Sequence, residues 1–305
     1  MLKLTLYFGN PARLNVANEQ LRITLPPDSS DSGERILTRP LEDIGIVIID
    51  SPQISLTSSV LSGFSKYGVA LIICNERHLP AGLMLEMEGN SLQSERFRIH
   101  ISASQPLKKQ MWQQTVIAKI RNQAAAMKII TGENPIALTR MAEKVKSGDS
   151  ENVEAKAASY YWSIIMARFG GIRRHRDGEG PNPLLNYGYS IVRAMMARAL
   201  VASGMHPSLG IFHRNKYNAY CLADDIMEPF RPYVDIMVMD IFDKFENPEV
   251  GMKSVKQQLL GICTKDVMIN GLTYPMMTGI SETAASVFKC YNGDSRKIRY
   301  PELTS

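Results

Sequence analysis

The sequence predicts an α+β fold in which a small N-terminal β-strand domain precedes a larger all-α domain. The hydrophobic pattern has a period of two residues up to about residue 84 and a helical period beyond it, and β-branched runs are confined to the first stretch. The polar segment MEGNSLQS at 87–94 is the natural linker, which gives an N-terminal domain at 1–86 and a C-terminal domain at 95–305. A chain of 305 residues with 45% hydrophobic and 21% charged residues is long enough for two cores, and it falls outside the disordered and fibrous classes.

Within the first domain, Leu2, Leu4 and Leu6 alternate with Lys3, Thr5 and Tyr7, as in a half-buried strand. LRITL, IGIVIID, QISL and VALIIC read as further strands, and SSVLSGFSKYG as a short helix between two of them. LPPDSSDSGERI at 25–36 is rich in Pro, Ser, Asp and Gly, the composition of a loop or partly disordered hairpin tip. From LQSERFRIH onward the apolar residues recur at helical spacing among Ala, Gln, Lys and Met. RDGEGPNP at 176–183 breaks the helices on either side of it. The tail CYNGDSRKIRYPELTS reads equally as a docking segment and as solvated disorder.

Net charge of +5 and a pI of about 8.9 permit a polyanionic partner without requiring one. Cys74, Cys221, Cys263 and Cys290 form no CxxC pair and have no histidine at zinc-site spacing, as expected of thiols in a reducing compartment. No cleavable leader and no run of roughly 20 apolar residues is apparent, so a cytoplasmic location off the membrane is expected.

Polar chemistry concentrates in three places of the helical part. In SGDSENVEAKAASYYW, Ser150 or Asp149 can cap a helix, and Glu151 and Glu154 sit near its start, where the dipole favours acids. The small and aromatic residues after Glu154 imply close packing, and a part-buried acid needs a partner. In GMHPSLGIFH, Pro and two glycines put His213 at a turn, after which RNKYNAYCLADDIMEPFRPYVD resumes a helical period. Asp224 and Asp225 point about 100° apart on a helix, whereas Glu228 shares a face with either. Such acids repel unless a cation intervenes; that cation is a metal, or else Arg231 or a base on another helix. Two acids and a histidine from separate segments suit Mg²⁺ or Mn²⁺ and leave positions open for a scissile phosphate. The third place, MARFGGIRRHRDGEGPNPLLNYGYSIVRAMMARAL, carries Arg168, Arg173, Arg174 and Arg176, whose forks match phosphate oxygens, unless they form a solvated basic surface. Tyr187 and Tyr189 follow at spacing more usual in a core than in a nucleophile.

Several of these motifs stand together in one order. LYFGNPARLNVANEQL, RPLEDIGIVIID, EGNSLQSERFR, NVEAKAASYYW, NPLLNYGYSIVRAMMARAL, HPSLGIFH and DDIMEPFRP together resemble the CRISPR-associated adaptation integrase, the larger of the two universal spacer-acquisition proteins, in its type II form. The resemblance covers essentially the whole chain. It implies that the β-rich domain mediates homodimerisation and that the helical domain holds a metal site. Carried over, the metal ligands and catalytic residues are Glu154, His213 and Glu228, with Mg²⁺ or Mn²⁺ as cofactor; Asp225, three residues earlier in the same motif, is support that either shares the ion or holds a ligand by a hydrogen bond. Many relatives have glycine where this chain has Ala155, a substitution expected to matter little in a helix. The activity implied is that of an endonuclease and integrase in antiviral defence. It inserts foreign DNA fragments into the CRISPR array by attack of a 3′ hydroxyl on a phosphodiester. Arg168, Arg173, Arg174 and Arg176 are the expected DNA-binding residues. The implied partners are double-stranded DNA, a small ferredoxin-like adaptation subunit, and type II effector proteins. A free-standing nuclease of branched DNA and a non-catalytic DNA-binding scaffold remain as alternative readings.

Overall fold

The computed structural model describes residues 3–27, 34–175 and 178–304. It divides into two units, residues 1–89 and 90–305. The expected linker at 87–94 contains the division, and its last two residues already begin a helix.

In the first unit the strands are β1 (Leu4–Phe8), β2 (Ala12–Ala17), β3 (Gln20–Leu25), β4 (Arg35–Pro40), β5 (Ile44–Ile49), β6 (Ile54–Leu56), β7 (Ala70–Cys74) and β8 (Pro80–Met84), with helix α1 (Ser58–Lys66) before β7. Among the described residues they form two four-stranded sheets, ordered β1-β5-β7-β8 and β4-β3-β2-β6. β5 pairs in parallel with β1 and with β7, and its run IGIVII is buried along almost its whole length, as a central parallel strand covered on both faces must be. β2 and β3 join through Asn18 and Glu19, both at positive φ, which matches the twist of a tight hairpin. Leu14, Leu21, Ile44, Val47, Val60 and Phe64 make one core. The loop expected at 25–36 lies between β3 and β4, and its residues 28–33 fall outside the described residues.

In the second unit the helices are α2 (Gln93–Ser102), α3 (Gln105–Thr131), α4 (Ile136–Glu143), α5 (Val153–Ala167), α6 (Asn182–Ala202), α7 (Cys221–Met227), α8 (Arg231–Lys244), α9 (Lys253–Leu260) and α10 (Met276–Asn292). The long α3, roughly 40 Å from end to end, is the spine. Ser104 caps it by accepting the Leu107 N–H at 3.4 Å, and Gly132 ends it in the left-handed conformation. Its buried positions, Trp112, Val116, Lys119, Ile120, Gln123 and Met127, recur three and four residues apart and pack against α5, α8 and the turn Glu228–Phe230.

Three findings differ from the sequence reading. The domain is not all-α: β9 (Asp266–Ile269) and β10 (Leu272–Pro275) form an antiparallel hairpin, turned by Asn270 and Gly271 at positive φ. The helix after His213 starts only at Cys221, because Asn215 and Asn218 accept the N–H groups of Tyr217 and Tyr220, which stabilises turns instead. The tail is packed on its own chain: Gln114 accepts the Ile298 N–H at 2.9 Å and Asn122 the Leu303 N–H at 3.0 Å. The four cysteines are thiols, three of them buried. No helix among the described residues is long and apolar enough to cross a membrane.

Candidate metal and phosphate site

Glu154 stands in the first turn of α5, and the backbone leading to it is tightly prescribed. Gly148, Asp149 and Asn152 all have positive φ, and a Cβ on Gly148 would come within 2.9 Å of Lys109. This turn lets the buried Asp149 carboxylate accept the N–H groups of Val153 at 2.8 Å and Glu154 at 3.0 Å, so Asp149 is the cap. Glu151 points away and pairs with Lys146 at the surface.

Glu228 lies where α7 passes into a 3-10 turn, fixed by Pro229 and by the buried Asn122 of α3. The Asn122 amide donates to the carbonyls of Pro229 at 2.7 Å and Pro301 at 2.9 Å. Lys119, one helical turn before Asn122, reaches both glutamates: its Nζ is 2.5 Å from Glu154 Oε1 and 2.6 Å from Glu228 Oε2. Arg231 holds the other oxygen of Glu228 at 3.1 Å. Burial by itself would raise the Glu228 carboxyl, but Arg231 and Lys119 outweigh it and hold it below the ordinary carboxylate range. Oε2 is nonetheless buried without a well-formed hydrogen bond.

His213 lies within the connection between α6 and α7. Gly210 is required there, since a Cβ would lie 2.3 Å from the His213 carbonyl oxygen and 3.0 Å from Asp225. The fully buried Asp225 organises this loop by accepting the N–H groups of Ile211 at 2.6 Å, Phe212 at 2.8 Å and His213 at 3.3 Å, and Nδ1 of His213 at 2.5 Å. Both of its oxygens are thus committed to the loop, so Asp225 orients the imidazole from behind. The hydrogen bond to Asp225, and then the charges of Asp225, Glu228 and Glu154, push the imidazole upward. The ring is 45% exposed, and its Nε2 has no hydrogen bond among the described residues. Trp112 stacks on Phe212 at 4.5 Å and meets His213 edge-on, anchoring the loop to α3.

Three segments thus bring Glu154 and Glu228 onto Lys119 and His213 within reach of their charge, although no three His, Cys, Asp or Glu side chains among the described residues already converge as a ligand set. The intervening cation is Lys119. The donor set itself, two carboxylates and a part-exposed imidazole held by Asp225 through Nδ1, fits a hard divalent ion. Asp224 belongs elsewhere: Arg193 donates to it at 2.6 Å and Asn218 at 2.7 Å, tying α6 to α7.

The basic segment is divided. Arg168 is engaged by Asp243, and Arg173 is exposed. Arg174 turns inward to donate to Asn182 at 2.9 Å and Asn186 at 2.6 Å. Arg176 lies outside the described residues. Tyr187 is buried, and Tyr189, also buried, donates with Tyr161 to the carboxylate of Asp235. Burial raises the Tyr189 phenol far above its ordinary value, as for a tyrosine of the core. Lys119 and Asn122 were not singled out from sequence. The available signal was a lysine and an asparagine on the apolar stripe of QQTVIAKIRNQAAAM.

A β-rich unit followed by a mainly helical unit, with two glutamates meeting Lys119 of the central helix α3, defines an α+β protein. Residues 6–249 match the family model described as CRISPR associated protein Cas1, and the chain belongs to that family. It is 32% identical to the CRISPR-associated endonuclease Cas1 of Neisseria meningitidis serogroup C (strain 8013), over 98% of this chain and 96% of the relative. Its fold is similar to that of a casposase bound to integration product (TM-score 0.77, 19% identity, 98% of this chain and 92% of that one). It is similar also to a chain of a Cas6-RT-Cas1–Cas2 complex (TM-score 0.73, 16% identity, 97% of this chain and 35% of that one).

Proposed function

We propose that the chain is a divalent-metal-dependent DNA endonuclease and integrase that inserts foreign DNA fragments into a CRISPR array by 3′-hydroxyl transesterification. The observation that carries this reading is the meeting of Glu154 and Glu228 on one cation, with the Asp225-held His213 close enough to feel the charge of both. Glu154, Glu228 and His213 Nε2 would hold Mg²⁺ or Mn²⁺. The ion supplies a Lewis acid at the scissile phosphate, where charge develops on the attacking and leaving oxygens. Asp225 accepts from Nδ1, so the Nε2 lone pair points outward. Arg231 keeps Glu228 ionised and in place. The attacking group belongs to the incoming DNA, so no protein nucleophile and no nucleotide cofactor enter the reaction.

The naming of curated relatives as CRISPR-associated endonucleases supports the assignment. The likeness to chains in complex with an integration product and with Cas2 supports DNA and a small adaptation subunit as partners. On the family resemblance, the β-rich unit would be the homodimer surface. Type II effector proteins are further partners on this reading. Of the basic residues, Arg173 suits DNA contact best, because it is exposed. The test is transfer of a fluorescent duplex with free 3′ hydroxyls into a supercoiled plasmid carrying the repeat, with Mg²⁺ or Mn²⁺ and the small subunit. Wild type should join the label and His213→Ala should not. Plasmid cutting without joining would favour the nuclease of branched DNA. DNA binding without either reaction would favour the scaffold.

A further inference from the structure

The ion pair between Lys119 and the two glutamates has a role of its own. The lysine lies in the interior of α3 with its side chain 10% exposed, and its ammonium sits within 2.6 Å of one oxygen from each glutamate. Those glutamates come from segments far apart in the chain, and without a cation between them they would repel. Arg231 engages Oε1 of Glu228, which leaves Oε2 facing Lys119 alone, buried and without a well-formed hydrogen bond. An oxygen so held is committed by charge and not by direction, and a lysine head is a compact point charge on a flexible stem that can withdraw.

We infer that Lys119 is the resident cation of the metal-free site, and that it gives up Glu154 and Glu228 when a divalent ion binds. The inference rests on the metal site proposed above. The ammonium keeps the two carboxylates assembled between reaction cycles. A divalent ion has to displace it to reach the same oxygens, so the protein binds metal more weakly than an unopposed pair of carboxylates would.

The test uses the full-length metal-free protein with two readouts. In the first, Mn²⁺ binding is titrated by electron paramagnetic resonance for wild type, Lys119→Met and Glu154→Gln. Lys119→Met should bind Mn²⁺ roughly tenfold more tightly than wild type, because the competing cation is gone. In the second, acetylation of individual lysines in wild type is followed by mass spectrometry with and without saturating Mn²⁺. Acetylation of Lys119 should accelerate several-fold with Mn²⁺ while surface lysines such as Lys146 stay unchanged. Glu154-dependent Mn²⁺ binding with Lys119 acetylation unaltered overturns the inference and leaves the metal site standing. So does equal or weaker affinity in a folded Lys119→Met. Mn²⁺ binding that Glu154→Gln does not weaken overturns the metal site, and this inference with it. If Lys119→Met does not fold, the acetylation rates in wild type decide.

Discussion

Replacing His100 by phenylalanine should destabilise the helical unit at neutral pH and stabilise it in acid. His100 lies in α2, 1% exposed, with its ring 4.5 Å from that of Tyr291. Its Nε2 donates to the carbonyl of Leu209 at 2.9 Å, in the loop that delivers His213. Its Nδ1 is buried without a hydrogen-bond partner among the described residues. Burial pushes the imidazole from 6.5 down to about 4, because the charged ring would lose its hydration. The folded protein therefore binds this proton more weakly than the unfolded chain does. Above the unfolded value both states hold a neutral ring and nothing is lost. As pH falls from 6.5 to about 4 the unfolded chain is protonated first and stability drains away, levelling off below the folded value. The whole span corresponds to about 3 kcal/mol, of which about 2.5 kcal/mol is lost by about pH 4.5. Phenylalanine keeps a ring against Tyr291 but removes the titration and a hydrogen bond worth about 1 kcal/mol. Wild type should lead by about 1 kcal/mol near pH 7.5, and the variant by about 1.5 kcal/mol near pH 4.5. Urea unfolding followed by tryptophan fluorescence measures this, since Trp112 and Trp162 both belong to the helical unit. Other groups that titrate in this window, Asp235 among them, are common to both proteins and cancel in the difference. The same stability difference at both pH values would refute a buried, neutral His100.

Asp225→Asn should weaken Mn²⁺ binding about 10- to 100-fold by calorimetry, because a carboxamide is uncharged and has one acceptor oxygen for the four N–H groups that both carboxylate oxygens hold, which loosens His213. Burial raises the Asp235 carboxyl to about 6, so in wild type its ionised form costs stability that is fully regained only below 3.8. Asp235→Asn removes that titration, and urea melts from about pH 4 to 6.5 should move the stability difference by about 2 kcal/mol in the variant's favour as pH rises. Arg173→Ala should reduce the slope of log K against log salt for DNA binding by about one, measured by fluorescence anisotropy. Arg174→Ala should instead lower the melting temperature, because its guanidinium joins Asn182 and Asn186 inside the fold.

The change of hydrophobic period was sufficient to divide the chain, since alternation and helical spacing are direct records of which face of an element is buried. The motifs around Glu154, His213 and Glu228 were legible for a similar reason: acids and a histidine set among apolar residues need partners that local sequence does not supply. Less of the local detail could be read. The hairpin β9–β10 was missed although Asn270 and Gly271 spell a tight turn, because its strands are only four residues each amid helical surroundings. The stretch after His213 has a helical period, but Asn215 and Asn218 offer the backbone competing hydrogen bonds and turns prevail.

What the sequence by itself determined is the strand-rich start, the mainly helical remainder, the division between them, and the presence of acids and a histidine among apolar residues. Only the tertiary structure decided how each charge is met. Arg231 was foreseeable as a partner of Glu228 because it lies one helical turn away. Lys119 was not, since it is 35 residues from Glu154 and reaches it only when α3 packs against α5. Asp225 likewise became the orienter of His213 through a loop that folds back on α7, which Gly210 allows. Local pattern records which side of each element is buried, while pairing between distant charges is set by how the elements pack, so ligand, counter-ion and orienting residue separate only in three dimensions.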